Sequence, residues 1–300
     1  MSSPSRPDVA VLVSPVAGRG RARHVGDAVL AELRAGGVEP RLLPAVTGEQ
    51  AESAAAAAVA EGCAALVVVG GDGAVHAALQ AVAGRTTPLG VIPAGTGNDL
   101  VRALDLPVDP LAGARAVAQN VLDGAVRTID AGRTGGRWWA TVLCCGFDSA
   151  VSDRANRLRW PRGRRRYDVA VLAELIRLRP REVTLVLDGV SSTVPVTLVA
   201  VGNTPWYGGG LKVCPGADPT DGLFDVTVVG PISRRELIAT RPRLGAGTHI
   251  EHPAVTVHRA ARVELSCDGV TTYADGEPVV PLPAVADCVP GALHILATPH

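Results

Sequence analysis

The chain has no excess of either charge. Lys and Arg number 29, Asp and Glu number 29, and the formal net charge is zero. The global balance therefore gives no reason to expect a nucleic-acid partner. The six cysteines (Cys63, Cys144, Cys145, Cys214, Cys267 and Cys288) contain no Cys-x-x-Cys pair, and no histidine spacing for zinc accompanies them. The expectation is small buried hydrophobes in a reducing compartment. No apolar run approaches the ~20 residues of a membrane span. Met1 to Asp8 is short and polar, without the apolar core of a signal peptide. These absences lead us to expect a cytoplasmic protein, peripheral at the inner membrane face at most. Neither an internal repeat nor a low-complexity linker is present.

What remains is an ordinary globular composition, 47% hydrophobic and 19% charged over 300 residues, which excludes wholesale disorder and suits two domains. The first part alternates strand and helix signals. Strands are expected at Val9–Val13, Arg41–Leu43, Leu66–Val69 and Leu89–Ile92. Helices are expected around Val25 to Leu33, over Gly48–Ala60, after Gly73 and from Asn98. That alternation predicts a parallel, three-layer α/β domain over 1–126. From about Val126, β-rich runs dominate: Trp138–Leu143, Val183–Leu187, Val194–Val201, Phe224–Val229, Ala254–Val257, Arg262–Ser266 and Val279-Val280. They predict a β-sandwich over 127–288, interrupted by a helical insertion at about Ser149 to Leu178. The last run, Ala292–Ala297, lies in a segment, 289–300, that could complete the first domain. Exposed sheet edges make a homodimer unsurprising.

Two glycine turns stand at strand ends. Gly70-Gly71-Asp72-Gly73 follows Leu66–Val69, and Pro93-Ala94-Gly95-Thr96-Gly97-Asn98-Asp99 follows Leu89–Ile92. Glycine lets the backbone approach an anion with no Cβ in the way, and the helix after each turn aims free N–H groups at it. In open α/β sheets ligands sit beyond these carboxyl ends. Together the turns predict a nucleotide phosphate site. Asp72 suggests magnesium or proton chemistry, although an Asp there can also cap a helix. Thr96 offers a hydroxyl; Asn98 and Asp99 could cap the following helix. Ser14 to Gly18 forms a third strand-end loop, followed by Arg19, Arg21 and Arg23. Asp218-Pro219-Thr220-Asp221-Gly222-Leu223 places two carboxylates in a turn, suited to magnesium or to a plain Asx turn. Asp275-Gly276-Glu277 reads as a hairpin or as a base facing a hydroxyl. Arg154, Arg157, Arg159, Arg162, Arg164, Arg165 and Arg166, with Trp160 among them, form either a solvated face or an anionic-membrane contact.

Gly70–Gly73, Pro93–Asp99, Gly146-Phe147-Asp148, Asp218–Leu223 with Phe224-Asp225, and Asp275–Glu277 occur in this order in bacterial lipid kinases. Over nearly its whole length the chain resembles the diacylglycerol kinase catalytic-domain family, which includes YegS-like kinases and sphingosine kinases. The resemblance implies an NAD-kinase-like first domain and transfer of the ATP γ-phosphoryl group to a lipid hydroxyl at a membrane surface. It implies an ATP cleft between the domains, drawing on Ser14, Pro15, Gly18, Thr47, Gly70, Gly71, Gly73, Ala74, Val75, Gly95, Thr96, Gly97 and Asn98. Glu277 matches the family's proton acceptor. Asp72 matches the Asp that supports Mg2+ and shares the base role. Asp218, Asp221 and the Leu223 carbonyl match a second, structural Mg2+ site. The chain departs from the family at Ala74 and His76-Ala77, where Thr and Asn-Glu are usual. Two other readings stay open: an NAD or small-metabolite kinase of the same superfamily, and a non-catalytic nucleotide or lipid sensor.

Overall fold

The computed structural model describes residues 6–14, 21–146 and 179–298. Pro15, Gly18, Arg19, Phe147-Asp148, the insertion at 149–178 and the arginine run at 154–166 lie outside the described residues. The chain divides into two compact units, one of Met1–Ala131 with Pro290–His300, the other of Gly132–Val289.

Unit one contains β1 (Asp8–Val13), α1 (Arg21–Ala35), β2 (Glu39–Leu43), α2 (Gly48–Ala60), β3 (Ala65–Gly70), α3 (Asp72–Val82), β4 (Leu89–Pro93), α4 (Asp99–Ala103), α5 (Pro110–Asp123) and the start of β5 (Val126–Thr134). Its strands run parallel in the order β2-β1-β3-β4. The C-terminal end of the last strand adds alongside β4, with Ile295 opposite Leu89. Parallel strands are buried on both faces and so read as unbroken apolar runs; β3 is buried at every position. Val9, Val11, Val67, Val69 and Ile92 face α1 and α5 through Val29, Leu33, Val117 and Ala118. The alternate residues Ala10, Leu12, Leu66 and Val68 are equally buried. They point to the side where α2 and α3 contact the strands.

Local chemistry sets the helix ends. The Thr47 hydroxyl accepts the Gln50 N–H (3.2 Å), and Gln50 answers on the Thr47 N–H. This capping box starts α2. In α5, which the periodicity reading passed over, Asp109 accepts the Ala112 N–H (2.8 Å), Pro110 takes the first turn, and Gly124 closes the helix in the left-handed region.

Unit two contains β6 (Arg137–Trp139), β7 (Val142–Gly146), β8 (Arg181–Leu187), β9 (Val190–Val196), β10 (Leu198–Gly202), β11 (Phe224–Val229), α6 (Arg234–Ala246), β12 (Val255–Ala260), β13 (Arg262–Ser266), β14 (Thr271–Ala274), β15 (Glu277–Pro281) and the start of β16 (Ala284–Leu296). One antiparallel sheet runs β12-β11-β10-β7-β14-β15, and the other includes β16-β13-β8-β9. Leu143, Cys145, Val199, Val201 and Val226 of the first sheet pack with Val183, Leu185, Val263 and Leu265 of the second. The sandwich core includes the buried Trp139, whose ring stacks on Phe224 at 5.0 Å between centroids and whose Nε1–H reaches Thr134 (3.1 Å). The outer face of the six-stranded sheet is covered by Val213, Cys214, Leu237 and Leu244.

Two runs expected as single strands are broken. Trp138–Leu143 stops at Ala140-Thr141, whose N–H groups turn to Asp275. Val194–Val201 divides at Thr197, whose N–H and hydroxyl go to the carbonyls of Val229 and Gly230 (2.7 and 2.9 Å), where the chain passes from one sheet to the other. Four of the six cysteines are buried; Cys267 and Cys288 are half-buried. Burial pushes the Cys145 and Cys214 thiols up to about 12, so neither is a nucleophile near neutral pH. Among the described residues no helix is long and apolar enough to cross a membrane.

Candidate functional site

The two glycine turns meet in unit one, at the carboxyl edge of its sheet. The Ala94 N–H donates to the Gly70 carbonyl (2.8 Å). Gly71 and Gly95 then lie back to back. A Cβ on Gly95 would come within 2.4 Å of the Gly71 Cα, and one on Gly71 within 3.0 Å of the Gly95 Cα. Only glycine permits that approach. Asp72 ties the turns together. One carboxylate oxygen accepts the Asn98 N–H (3.0 Å) and the other the Asp99 N–H (2.8 Å). The second helix therefore takes its cap from a carboxylate 26 and 27 residues earlier. Asn98 sits in the left-handed region at φ 55° and donates its side-chain amide to the Gly95 carbonyl (3.1 Å). Its Oδ1 is buried with no hydrogen-bond partner among the described residues.

Around this brace the other candidates are arranged by strand order. Gly73 and Thr96 are exposed, and Gly97 is half-buried. The Ser14 N–H donates to the Val69 carbonyl (2.9 Å), which holds the end of β1 beside Gly70. Thr47 ends the loop after β2 on the same edge, with its hydroxyl engaged in the α2 cap. Ala74 lies against Gly70, while Val75, His76 and Ala77 are buried in α3. A Cβ-free floor and the N–H groups at the start of α3 fit a polyphosphate. The unpartnered Asn98 Oδ1 is an acceptor and suits a donor such as a hydroxyl or a water. Each Asp72 oxygen already holds a backbone N–H and keeps further lone-pair capacity for a cation or a water.

In unit two, Asp275-Gly276-Glu277 is the turn between β14 and β15. Asp275 has φ 52° and Gly276 has φ 84°. The Asp275 carboxylate accepts the Ala140 N–H (3.2 Å), the Thr141 N–H (2.9 Å) and the Thr141 hydroxyl (2.6 Å). The Thr141 and Ala140 carbonyls in turn receive the Asn203 backbone N–H (2.8 Å) and side-chain amide (2.9 Å). The hairpin is thus pinned to the β6–β7 break, with Glu277 exposed at its end. Reading the sequence singled out Glu277 and overlooked this anchor, since Asp275 and Thr141 are 134 residues apart.

Asp218, Asp221 and Leu223 share one turn. Asp218 accepts the Thr220 N–H (3.0 Å) and hydroxyl (2.7 Å), and Asp221 accepts the Leu223 N–H (3.0 Å). Both are Asx-type contacts. Asp221 also pairs closely with the Arg259 guanidinium, which reaches the buried Asp225 at 3.3 Å. Burial pushes the Asp225 carboxyl above its ordinary range, against the pull of Arg259 and helped by the like charge of Asp221. So arranged, this set does not fit a divalent ion: Arg259 already supplies the positive charge. Among the described residues no group of three His, Cys, Asp or Glu could hold a metal. Replacing Arg259 by alanine should create a divalent site between Asp221 and Asp225. Millimolar Mg2+ would then raise the melting temperature of the nucleotide-free variant and leave that of the wild type unchanged. Scanning fluorimetry in Mg2+ against EDTA checks this, and an equal Mg2+ shift in the wild type would overturn it.

Comparison with known proteins bears on both units. The diacylglycerol kinase catalytic domain matches residues 8–134, and the YegS C-terminal NAD kinase beta sandwich-like domain matches residues 141–297. A diacylglycerol kinase of Mycobacterium tuberculosis is 45% identical over 298 residues, covering 97% of this chain and 96% of that protein. A YegS-like lipid kinase of Pseudomonas fluorescens is 30% identical over 243 residues, 79% of each chain. A crystal structure of a diacylglycerol kinase from Bacillus anthracis superposes with a TM-score of 0.73 at 17% identity, covering 99% of each chain, a likeness of fold. With its glycine-turn unit and its sandwich both matched, the chain belongs to the diacylglycerol kinase catalytic-domain family and is a kinase.

Proposed function

We propose that the chain transfers the γ-phosphoryl group of ATP to a lipid hydroxyl, with diacylglycerol as the first acceptor to test. The observation that carries this reading is the Gly71–Gly95 approach braced by Asp72, in a chain 45% identical to a protein named diacylglycerol kinase. The N–H groups at the start of α3 and the backbone of the second turn hold the triphosphate. Asp72 keeps the two turns at one separation, so the cradle is preorganised before the reaction. The acceptor oxygen forms a bond to the γ-phosphorus as the bond to the β,γ-bridging oxygen breaks, and ADP leaves. Glu277, held on its pinned hairpin, accepts the hydroxyl proton. Asp72, with lone-pair capacity left on both oxygens, would support a Mg2+ ion bound with ATP, which would supply charge neutralisation at the transferring group. Ser14, Thr47 and Thr96 are proposed contacts of the nucleotide, and Asp99 belongs to the brace.

The test is γ-labelled ATP with Mg2+, given in parallel to vesicles containing diacylglycerol and to a pool of NAD and sugars. A labelled chloroform-soluble product supports the reading. Label confined to NADP or a sugar phosphate would replace it with a soluble-metabolite kinase. Bound ATP with no labelled product in either fraction would leave a nucleotide sensor.

A further inference from the structure

A lipid acceptor confined to a bilayer requires the protein to rest on that bilayer, and among the described residues α6 is built for such a surface. Only Leu237, Thr240 and Leu244 turn inward from it, one narrow stripe at i, i+3 and i+7 on the outer face of the sandwich. The rest of the helix is exposed. Its outward face carries Ile238, 59% exposed, with Ala239, Pro242 and Ala246 around it. Arg234, Arg235, Arg241 and Arg243 stand among and beside these residues. One acidic residue accompanies the four arginines, and Glu236 is engaged in the capping box with Ser233 (3.0 Å).

Stability does not explain this composition. Arg234 and Arg235 sit in the first turn, where the helix dipole disfavours positive charge. Pro242 lies inside the helix and removes the N–H that would reach the Ile238 carbonyl. Elsewhere Arg41, Arg115, Arg259 and Arg262 each pair with a carboxylate. Arg235, Arg241 and Arg243 have no ion-pair partner among the described residues. The C-terminal end of the helix extends the same chemistry. The Lys212 N–H donates to the Leu244 carbonyl (2.8 Å), and its ammonium lies 5.4 Å over the half-buried Trp206 ring.

We propose that the outward face of α6, with Lys212 and Trp206 at its end, docks on an anionic phospholipid membrane. The arginines would meet headgroup phosphates, while Ile238, Ala239 and Pro242 enter the boundary between headgroups and acyl chains. A nucleic acid would use the arginines and leave that apolar centre without a partner. The proposal deepens the lipid-kinase reading and rests on it for its biological purpose, but the surface is tested separately.

The test pairs the full chain with a variant carrying Arg234→Gln, Arg235→Gln, Arg241→Gln and Arg243→Gln, and with Ile238→Ser. Co-sedimentation uses vesicles of phosphatidylcholine alone and of phosphatidylcholine with an equal part of phosphatidylglycerol. Wild type is expected on the anionic vesicles only, and less at high salt. The four-arginine variant should lose about 100-fold or more in partition coefficient. Ile238→Ser should weaken binding less and leave its salt dependence intact. On a short-chain diacylglycerol dispersed as monomers both variants should turn over like wild type, and on vesicle-borne diacylglycerol both should fall. Undiminished vesicle binding by the four-arginine variant overturns the docking surface, even if lipid phosphorylation stands. Anionic vesicle binding that depends on the arginines, without phosphorylation of any lipid, keeps the surface and removes the kinase reading. Salt-sensitive binding to duplex DNA without vesicle binding overturns the membrane assignment.

Discussion

Gly95→Ala should abolish nucleotide binding and lower stability together. The added methyl would lie 2.4 Å from the Gly71 Cα and 2.9 Å from the Asn98 Oδ1. The Gly71 Cα is backbone, and the Asn98 side chain is tied to the Gly95 carbonyl, so the two turns must part. Parting them stretches the bonds from the Asn98 and Asp99 N–H groups to Asp72, both at or below 3.0 Å. Overpacking of this kind costs about 1–3 kcal/mol, and a hydrogen bond to a charged group is worth about 1.5–3 kcal/mol. A loss of about 3 kcal/mol from the bound state corresponds to more than ~100-fold in ATP affinity. Gly48→Ala is the control. It adds the same methyl at the start of α2, where nothing lies within 4 Å, and should leave ATP affinity unchanged. Calorimetric titration of ATP and a thermal melt of both variants decide the matter. Wild-type affinity in Gly95→Ala would remove the phosphate cradle from this edge of the sheet.

How much of this was legible in the sequence depends on the range over which each feature acts. The glycine turns could be read because backbone conformation at a strand end is set within a few residues. The buried strands announced themselves because a parallel strand is apolar on both faces. The role of Asp72 as a brace could not be read, because its partners Asn98 and Asp99 come to it only when β3 and β4 pair. Asp275 was hidden for the same reason: the donors it accepts sit where Trp138–Leu143 looked like one continuous strand. The reading of Asp218 and Asp221 as metal ligands took no account of Arg259, 38 residues beyond Asp221. Two omissions were local. Asp109-Pro110 with Gly124, and Ser233 with Glu236, are helix-end signals present in the sequence. The arginine-rich α6 escaped because only three of its residues face inward, too few to register as a period.

The hairpin at Asp275–Glu277 separates the proposed proton acceptor, Glu277, from the residue that pins the turn, Asp275. Glu277→Ala should cut turnover by about 10²–10⁴-fold, the usual worth of a positioned base, with ATP affinity retained. Its exposure makes a stability cost small. Asp275→Ala should behave otherwise. It leaves the Ala140 N–H, the Thr141 N–H and the Thr141 hydroxyl without their acceptor. An unsatisfied buried group costs about 1–3 kcal/mol, and alanine is also strained at φ 52°. The melting temperature should drop along with turnover. Asp275→Asn is the informative intermediate. Asparagine tolerates the left-handed region, and its one carbonyl oxygen can still accept from Thr141, but its amide nitrogen faces the Ala140 N–H as a second donor. It should fold and lower kcat more than KM, with residual turnover well above that of Glu277→Ala. If Glu277→Ala keeps near-wild-type turnover while Asp275→Asn, folded by its melt, loses it, the two carboxylates exchange roles, and Asp275 becomes the proton acceptor.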